Sequence, residues 1–129
     1  MVRSLLDAWN RRDLDAMLDL GGSELAFVNS PTAVEPGTRR GRDEVIEVAR
    51  KQWEILADAR IEVDKFFDRG DEVITLGRLS RRMPGSDARI EEPHLGSYQF
   101  RDGKITRVEV LGFGRAEVQK ALEAAGLSE

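Results

Sequence analysis

His94 and Tyr98, the single histidine and single tyrosine of this 129-residue chain, stand four residues apart in HLGSYQF. In an extended strand that spacing puts both side chains on one face, with Gly96 between them and Glu92 at the same parity. An imidazole exchanges a proton near neutral pH, and a phenol orients or protonates a substrate oxygen. These residues are therefore the chain's best set for acid–base work. The plainer account is a hydrogen-bonded structural histidine and a tyrosine whose hydroxyl finds a partner in the core. Asn29 and Ser30, polar groups that close an apolar run before Pro31, are a second candidate position, and turn formation explains them equally well. Trp9, Phe27, Trp53, Gly96, Val108 and Val110 would line a cavity around these groups, although ordinary core packing accounts for the aromatic ones too. Arg39, Arg40 and Arg42 are placed to grip an anion, but Glu35, Asp43 and Glu44 beside them favour a solvated, charge-balanced loop. Other chemistries are excluded by residue type. Without cysteine there is no thiolate nucleophile or disulfide, and one histidine cannot build a His-rich zinc site. No GxGxxG or GxxxxGK[ST] pattern is present, so no cofactor and no metal are expected.

The element that must position His94 and Tyr98 is a hairpin over residues 94–113, in which Arg101-Asp102-Gly103-Lys104 joins two alternating runs. One face then carries Gly96, Tyr98, Phe100, Thr106, Val108 and Val110; the other carries Leu95, Ser97, Gln99, Ile105, Arg107, Glu109 and Leu111. The first face is apolar and aromatic and meets the interior. As the floor of a cavity it offers no carboxylate, whereas a one-residue slip would turn Arg107 and Glu109 inward. Leu95, Ile105 and Leu111 make the second face apolar enough to suggest docking of another copy.

Upstream, apolar spacing predicts helices over residues 2–10 and 14–20, the second capped by Asp13 and stopped by Gly21-Gly22. A short strand follows at 24–29, then a loop over 32–41 and the longest helix over 43–57. Strands are expected at 60–68, 72–83 and 88–100, with Phe66, Phe67, Val73, Leu76 and Leu79 as buried anchors, Pro93 as a bulge or edge irregularity, and a terminal helix over 115–127. Helices gathered early and antiparallel strands gathered late indicate a single α+β domain over residues 1–129, with helices covering one side of a strongly curved sheet.

Composition sets the outer limits. A net charge of −4 and a pI near 5.2 repel a phosphate backbone, so nucleic acid is not an expected partner. The apolar runs are only a few residues long, far short of the ~20 needed to cross a bilayer. The charged N-terminal stretch MVRSLLDAWNRRD does not have the layout of a secretory leader, so no membrane association and a cytoplasmic location are expected.

LLDAWNRRDLDAMLDL, GRDEVIEVARKQWEIL and YQFRDGKITRVEV, in that order, resemble the SnoaL-like (polyketide cyclase-like) branch of the nuclear transport factor 2-like superfamily. The resemblance implies a cone in which a bent, mostly antiparallel sheet and three helices enclose a pocket, and homodimers packed through the outer sheet face. It also implies a choice of roles: isomerase, cyclase, epoxide hydrolase, dehydratase or no catalysis. The positions of the ketosteroid isomerase branch's base and two oxyanion donors correspond here to Ser30, Leu5 and Gly96, and those of the cyclase branch's histidine and aspartate to Val108 and Val110. The expected function is therefore binding of a small, largely apolar molecule without the family's usual base. The alternative is an isomerase, cyclase or hydrolase acting on a small hydrophobic substrate through His94 and Tyr98.

Overall fold

The computed structural model describes residues 2–29, 36–56, 58–83 and 85–128. Two helices open the chain, α1 (Val2–Arg11) and α2 (Leu14–Leu20), followed by strand β1 (Gly21–Asn29). The α1 stripe Val2, Leu5, Leu6 is buried, and the Asp13 carboxylate accepts from the Ala16 N–H to cap α2. Strand β2 (Gly37–Arg40) then leads into α3 (Gly41–Ile55), which buries Val45, Val48 and Ala49. The expected loop at 32–41 is thus corrected over residues 37–40. They form a four-residue edge strand antiparallel to β1, pairing Phe27 with Arg39, without the apolar alternation that would mark it. Residues 30–35, including Ser30, lie outside the described residues.

The second half is a meander: β3 (Arg60–Asp68), β4 (Glu72–Arg82), β5 (Arg89–Arg101) and β6 (Lys104–Phe113), closed by α4 (Arg115–Ala125). The β5–β6 turn has positive φ at both Asp102 (53°) and Gly103 (76°), the geometry that matches the twist of the flanking strands. The sheet order is β2-β1-β6-β5-β4-β3, antiparallel throughout except where β1 lies parallel to β6. No described helix is long and apolar enough to cross a membrane.

The helices divide the sheet into two faces. α1, α2 and α3 lie on the concave face, where Leu5, Leu6, Leu25, Val45, Tyr98 and Ile105 share one core with Phe27, Phe100 and Val108. Each fully buried aliphatic side chain among them contributes about 1.5–3 kcal/mol by leaving water. α4 lies on the convex face, where Val118 and Leu122 pack with Ile74, Leu95, Leu111 and Leu76.

Four expectations are corrected by the structure. Ile105 is on the concave side, 1% exposed, because the ladder slips between Gln99 and Phe100 and pairs Ile105 with Phe100. Thr106 donates its hydroxyl to the Gln99 carbonyl beside that bulge. Leu95 and Leu111 are not a docking face, since the chain's own α4 covers them. Phe66 is 37% exposed rather than an anchor, and the Arg3 guanidinium lies over its ring at 5.0 Å. Pro93 pairs within β5 without disturbing parity; the irregularity lies instead between Leu95 and Gly96.

At Gly77 of β4 the backbone of β3 comes unusually close. A Cβ there would sit 2.0 Å from the Glu62 carbonyl oxygen, next to the register shift between Val63 and Lys65. Asn10 secures the same edge by accepting from the Ile61 N–H and donating to the Ile61 carbonyl, both at 2.9 Å.

Candidate functional site

Cross-strand pairing arranges the concave floor in rows. Val73, Tyr98, Val108 and Phe27 lie side by side across β4, β5, β6 and β1. The next row is Thr75, Gly96 and Val110, and the third is Gly77, His94 and Phe113. His94, Gly96, Tyr98, Val108 and Val110 therefore come together as the sequence spacing requires. Phe27, Val108, Val110 and Phe113 are half-buried although β5 and β6 lie in the middle of the sheet.

On the opposite face Ser97 stands against Glu109 and Gln99 against Arg107. Arg107 and Glu109 are paired with each other at 3.0 Å, and Ser97 donates to Glu72. The two charges that a shifted register would have turned inward are thus outside.

Tyr98 is 3% exposed, and its ring leans back over Gly96. A Cβ on Gly96 would meet the phenolic oxygen at 3.2 Å and the Thr75 hydroxyl at 3.3 Å, so glycine is what lets the ring cross to its neighbour strand. Burial pushes the phenol up to about 12, partly opposed by the hydrogen bond with Thr75. It stays a neutral hydroxyl at physiological pH. His94, 7% exposed, is lowered to about 4 by burial, which disfavours the imidazolium. It is a neutral ring that offers one N–H and one lone pair, not a ready proton donor. Glu92 has the same parity one row beyond, opposite Leu79.

Asn29 is buried at the end of β1, on the same parity as Phe27. Trp9 and Trp53 form a group at the α1–α2 turn, with ring centroids 6.3 Å apart. The Arg12 guanidinium lies 4.9 Å from the first ring and 5.8 Å from the second. Its N–H groups donate to the carbonyls of Trp9, Leu56 and Ala59, which ties α1 to the end of α3 and the start of β3. The Trp53 Nε1–H is buried without a partner. Among the described residues no group of three His, Asp or Glu side chains is placed to hold a metal ion.

Sequence reasoning missed Thr75. Alternation in VITLG shows which β4 residues share a face, but setting Thr75 beside Gly96 requires the β4–β5 register, which no residue type announces. Arg12 was missed as well, because a guanidinium in RRD reads as surface charge until its carbonyl partners are in place.

A family model described as a SnoaL-like domain matches residues 2–108. Comparison with curated proteins returns no match. Among solved structures, TerC co-crystallised with polyporic acid is 21% identical and aligns over 95% of each chain with a TM-score of 0.77. An NTF2-like protein of unknown function from Burkholderia pseudomallei is 22% identical over 93% of this chain and 92% of its own, also with a TM-score of 0.77. A protein with a ketosteroid isomerase-like fold from Catenulispora acidiphila, in complex with trimethylamine, is 17% identical over 98% of this chain and 92% of its own, with a TM-score of 0.73.

Proposed function

Because the chain belongs to the SnoaL-like domain family, we propose that it binds a small, largely apolar molecule on the concave floor between β5–β6 and the helices, without the carboxylate base of its catalytic relatives. The observation that carries this reading is the floor itself. Three rows supply Val73, Tyr98, Val108, Phe27, Gly96, Val110 and Phe113, while Arg107 and Glu109 pair with each other on the far side. Proton abstraction from carbon needs a base within reach of the substrate. Across β1, β4, β5 and β6 the rows offer as titratable groups only a desolvated imidazole and a phenol hydrogen-bonded to Thr75. The same scaffold holds small organic molecules elsewhere: TerC was co-crystallised with polyporic acid and the Catenulispora protein is in complex with trimethylamine.

Thermal shift and calorimetry against terpenoid, polyketide and steroid-like compounds test this. A binder that is lost when Val110→Trp fills the floor is the expected result. Binding unaffected by that substitution, or no binder from the whole set, counts against it.

A second reading rests on the placement of His94. Its ring is neutral, shares the concave side with Tyr98, and has Glu92 two residues away on the same strand face. In that case His94 acts as the base of an isomerase, cyclase or hydrolase on a hydrophobic substrate. Turnover of an identified substrate that survives His94→Gln removes this reading.

A further inference from the structure

One cross-strand row traverses the whole sheet. Asp68, Val73, Tyr98, Val108, Phe27 and Arg39 pair in succession from β3 to β2. The central positions of this row are the floor described above, and its two ends carry opposite charge. The Asp68 carboxylate is engaged in its own turn, where it accepts from the Gly70 N–H at 3.1 Å. The other end is the Arg39 guanidinium.

The arginines of the GTRRGR stretch have separate fates. Arg39 has the parity of Phe27 and is half-buried. Arg40 pairs with Ala26 on the opposite parity, and its N–H donates to Glu44. Arg42 stands exposed in the first turn of α3. Arg39 Nη1 donates to the Pro36 carbonyl at 2.9 Å and lies 3.3 Å from the place a Cβ would take on Gly37, which pairs with the buried Asn29. The missing side chain at Gly37 thus gives the guanidinium its room at the β2 edge of the floor. Two other arginines approach the concave side, each with a carboxylate near it in the sheet. Arg3 lies over Phe66 on β3, the strand that carries Asp68, and Arg81 stands one cross-strand step from Glu92, which pairs with Leu79. In the row of Arg39 the neighbour is the hydrocarbon of Phe27.

Adjacent strands lie about 4.8 Å apart, so a flat ring over Val108 carries a substituent to the β2 edge, two strands on and roughly 10 Å away. A carboxylate brought onto hydrocarbon loses hydration, a cost that a paired charge offsets. A guanidinium meets both carboxylate oxygens with parallel N–H donors. Resting on the cavity reading above, we infer that the ligand is a small apolar acid whose ring lies over Val108 and Val110 and whose carboxylate is held by Arg39.

2-Naphthoate and its neutral amide, 2-naphthamide, share one skeleton and test this by calorimetry and NMR of the full chain at pH 7. The acid is expected to bind about tenfold more tightly than the amide, and to lose about tenfold in affinity in Arg39→Gln. It is also expected to shift the Val108 and Val110 methyls together with the Arg39 Nε–H resonance. Arg3→Gln and Arg81→Gln are expected to leave its affinity within about twofold. Equal or tighter binding of the amide, seen in the same methyls, overturns the inference and leaves the cavity reading intact. So does an acid preference that survives Arg39→Gln, or one that disappears in Arg3→Gln or Arg81→Gln. If neither probe moves those methyls, both readings fail together. The Arg39 Nε–H shift in the wild type decides the assignment even if Arg39→Gln does not fold.

Discussion

At His94, one side chain links burial to a measurable pH dependence. The folded chain holds the imidazole near 4, against an ordinary value of 6.5 in an unfolded chain. The unfolded state therefore binds the proton first as pH falls. This group's contribution to stability is complete above about 6.5, drains away between there and about 4, and changes no further below. Its full amplitude is about 3 kcal/mol. Denaturant midpoints measured from pH 7 to pH 5 should fall for the wild type and fall by less for His94→Leu, since the difference between the two curves isolates this residue from the carboxylates. Parallel curves would mean that His94 is not desolvated in the folded state. Tyr98 needs no such titration. Its hydroxyl is matched with Thr75, and Gly96 is the vacancy that lets them meet.

The strands and helices differ in how far they can be read from residue types. The β5–β6 turn is plain in the sequence because Asp-Gly is the pair that tolerates two positive φ values, and both are observed at Asp102 and Gly103. The face of Ile105 is not, because it depends on a bulge between Gln99 and Phe100 that is a property of two strands together. Strand β2 is hidden for another reason. Its four residues pair only with β1 and bury nothing, so they leave no apolar pattern. The amphipathic pattern of α4 is legible, but its choice of the convex face is not. Gly112 settles that choice, since a Cβ there would lie 2.9 Å from the Glu117 carbonyl. Gly77 has the same kind of role where the β3 backbone crosses close to β4 beside the register shift. Gly77→Ala forces its methyl against the Glu62 carbonyl oxygen and should destabilise the fold by about 3 kcal/mol. Equilibrium unfolding in urea measures it, and a loss under about 0.5 kcal/mol would show that the bend is not fixed there.

For the molecule as a whole, the two faces of one sheet have different fates. The convex face is closed by α4 over Ile74, Leu95 and Leu111, so a second copy cannot use those residues without displacing the helix. The concave face keeps half-buried hydrocarbon at Phe27, Val108, Val110 and Phe113, of which Phe27 and Val108 pack against the core that α1 and α3 share. Much of this was visible from spacing alone: the parity of residues 94–100 separates His94, Gly96 and Tyr98 from Leu95 and Ser97, and the observed pairing keeps that separation. The candidate site was less legible, because its residues are brought together from four strands, β1, β4, β5 and β6. Thr75 on β4 joins it only through the β4–β5 register, and Arg12 ties the α1–α2 turn to β3 only through tertiary contacts.

The proposed ligand site is the apolar floor at Val73, Val108 and Val110 on the concave side. Methyl NMR during titration with a binder found by the thermal-shift screen tests it most directly. Shifts concentrated at Val73, Val108 and Val110, with Leu95 and Leu111 unmoved, are the predicted result. Shifts confined to Leu95, Leu111 and Leu122 would place the ligand on the convex side under α4 and contradict it.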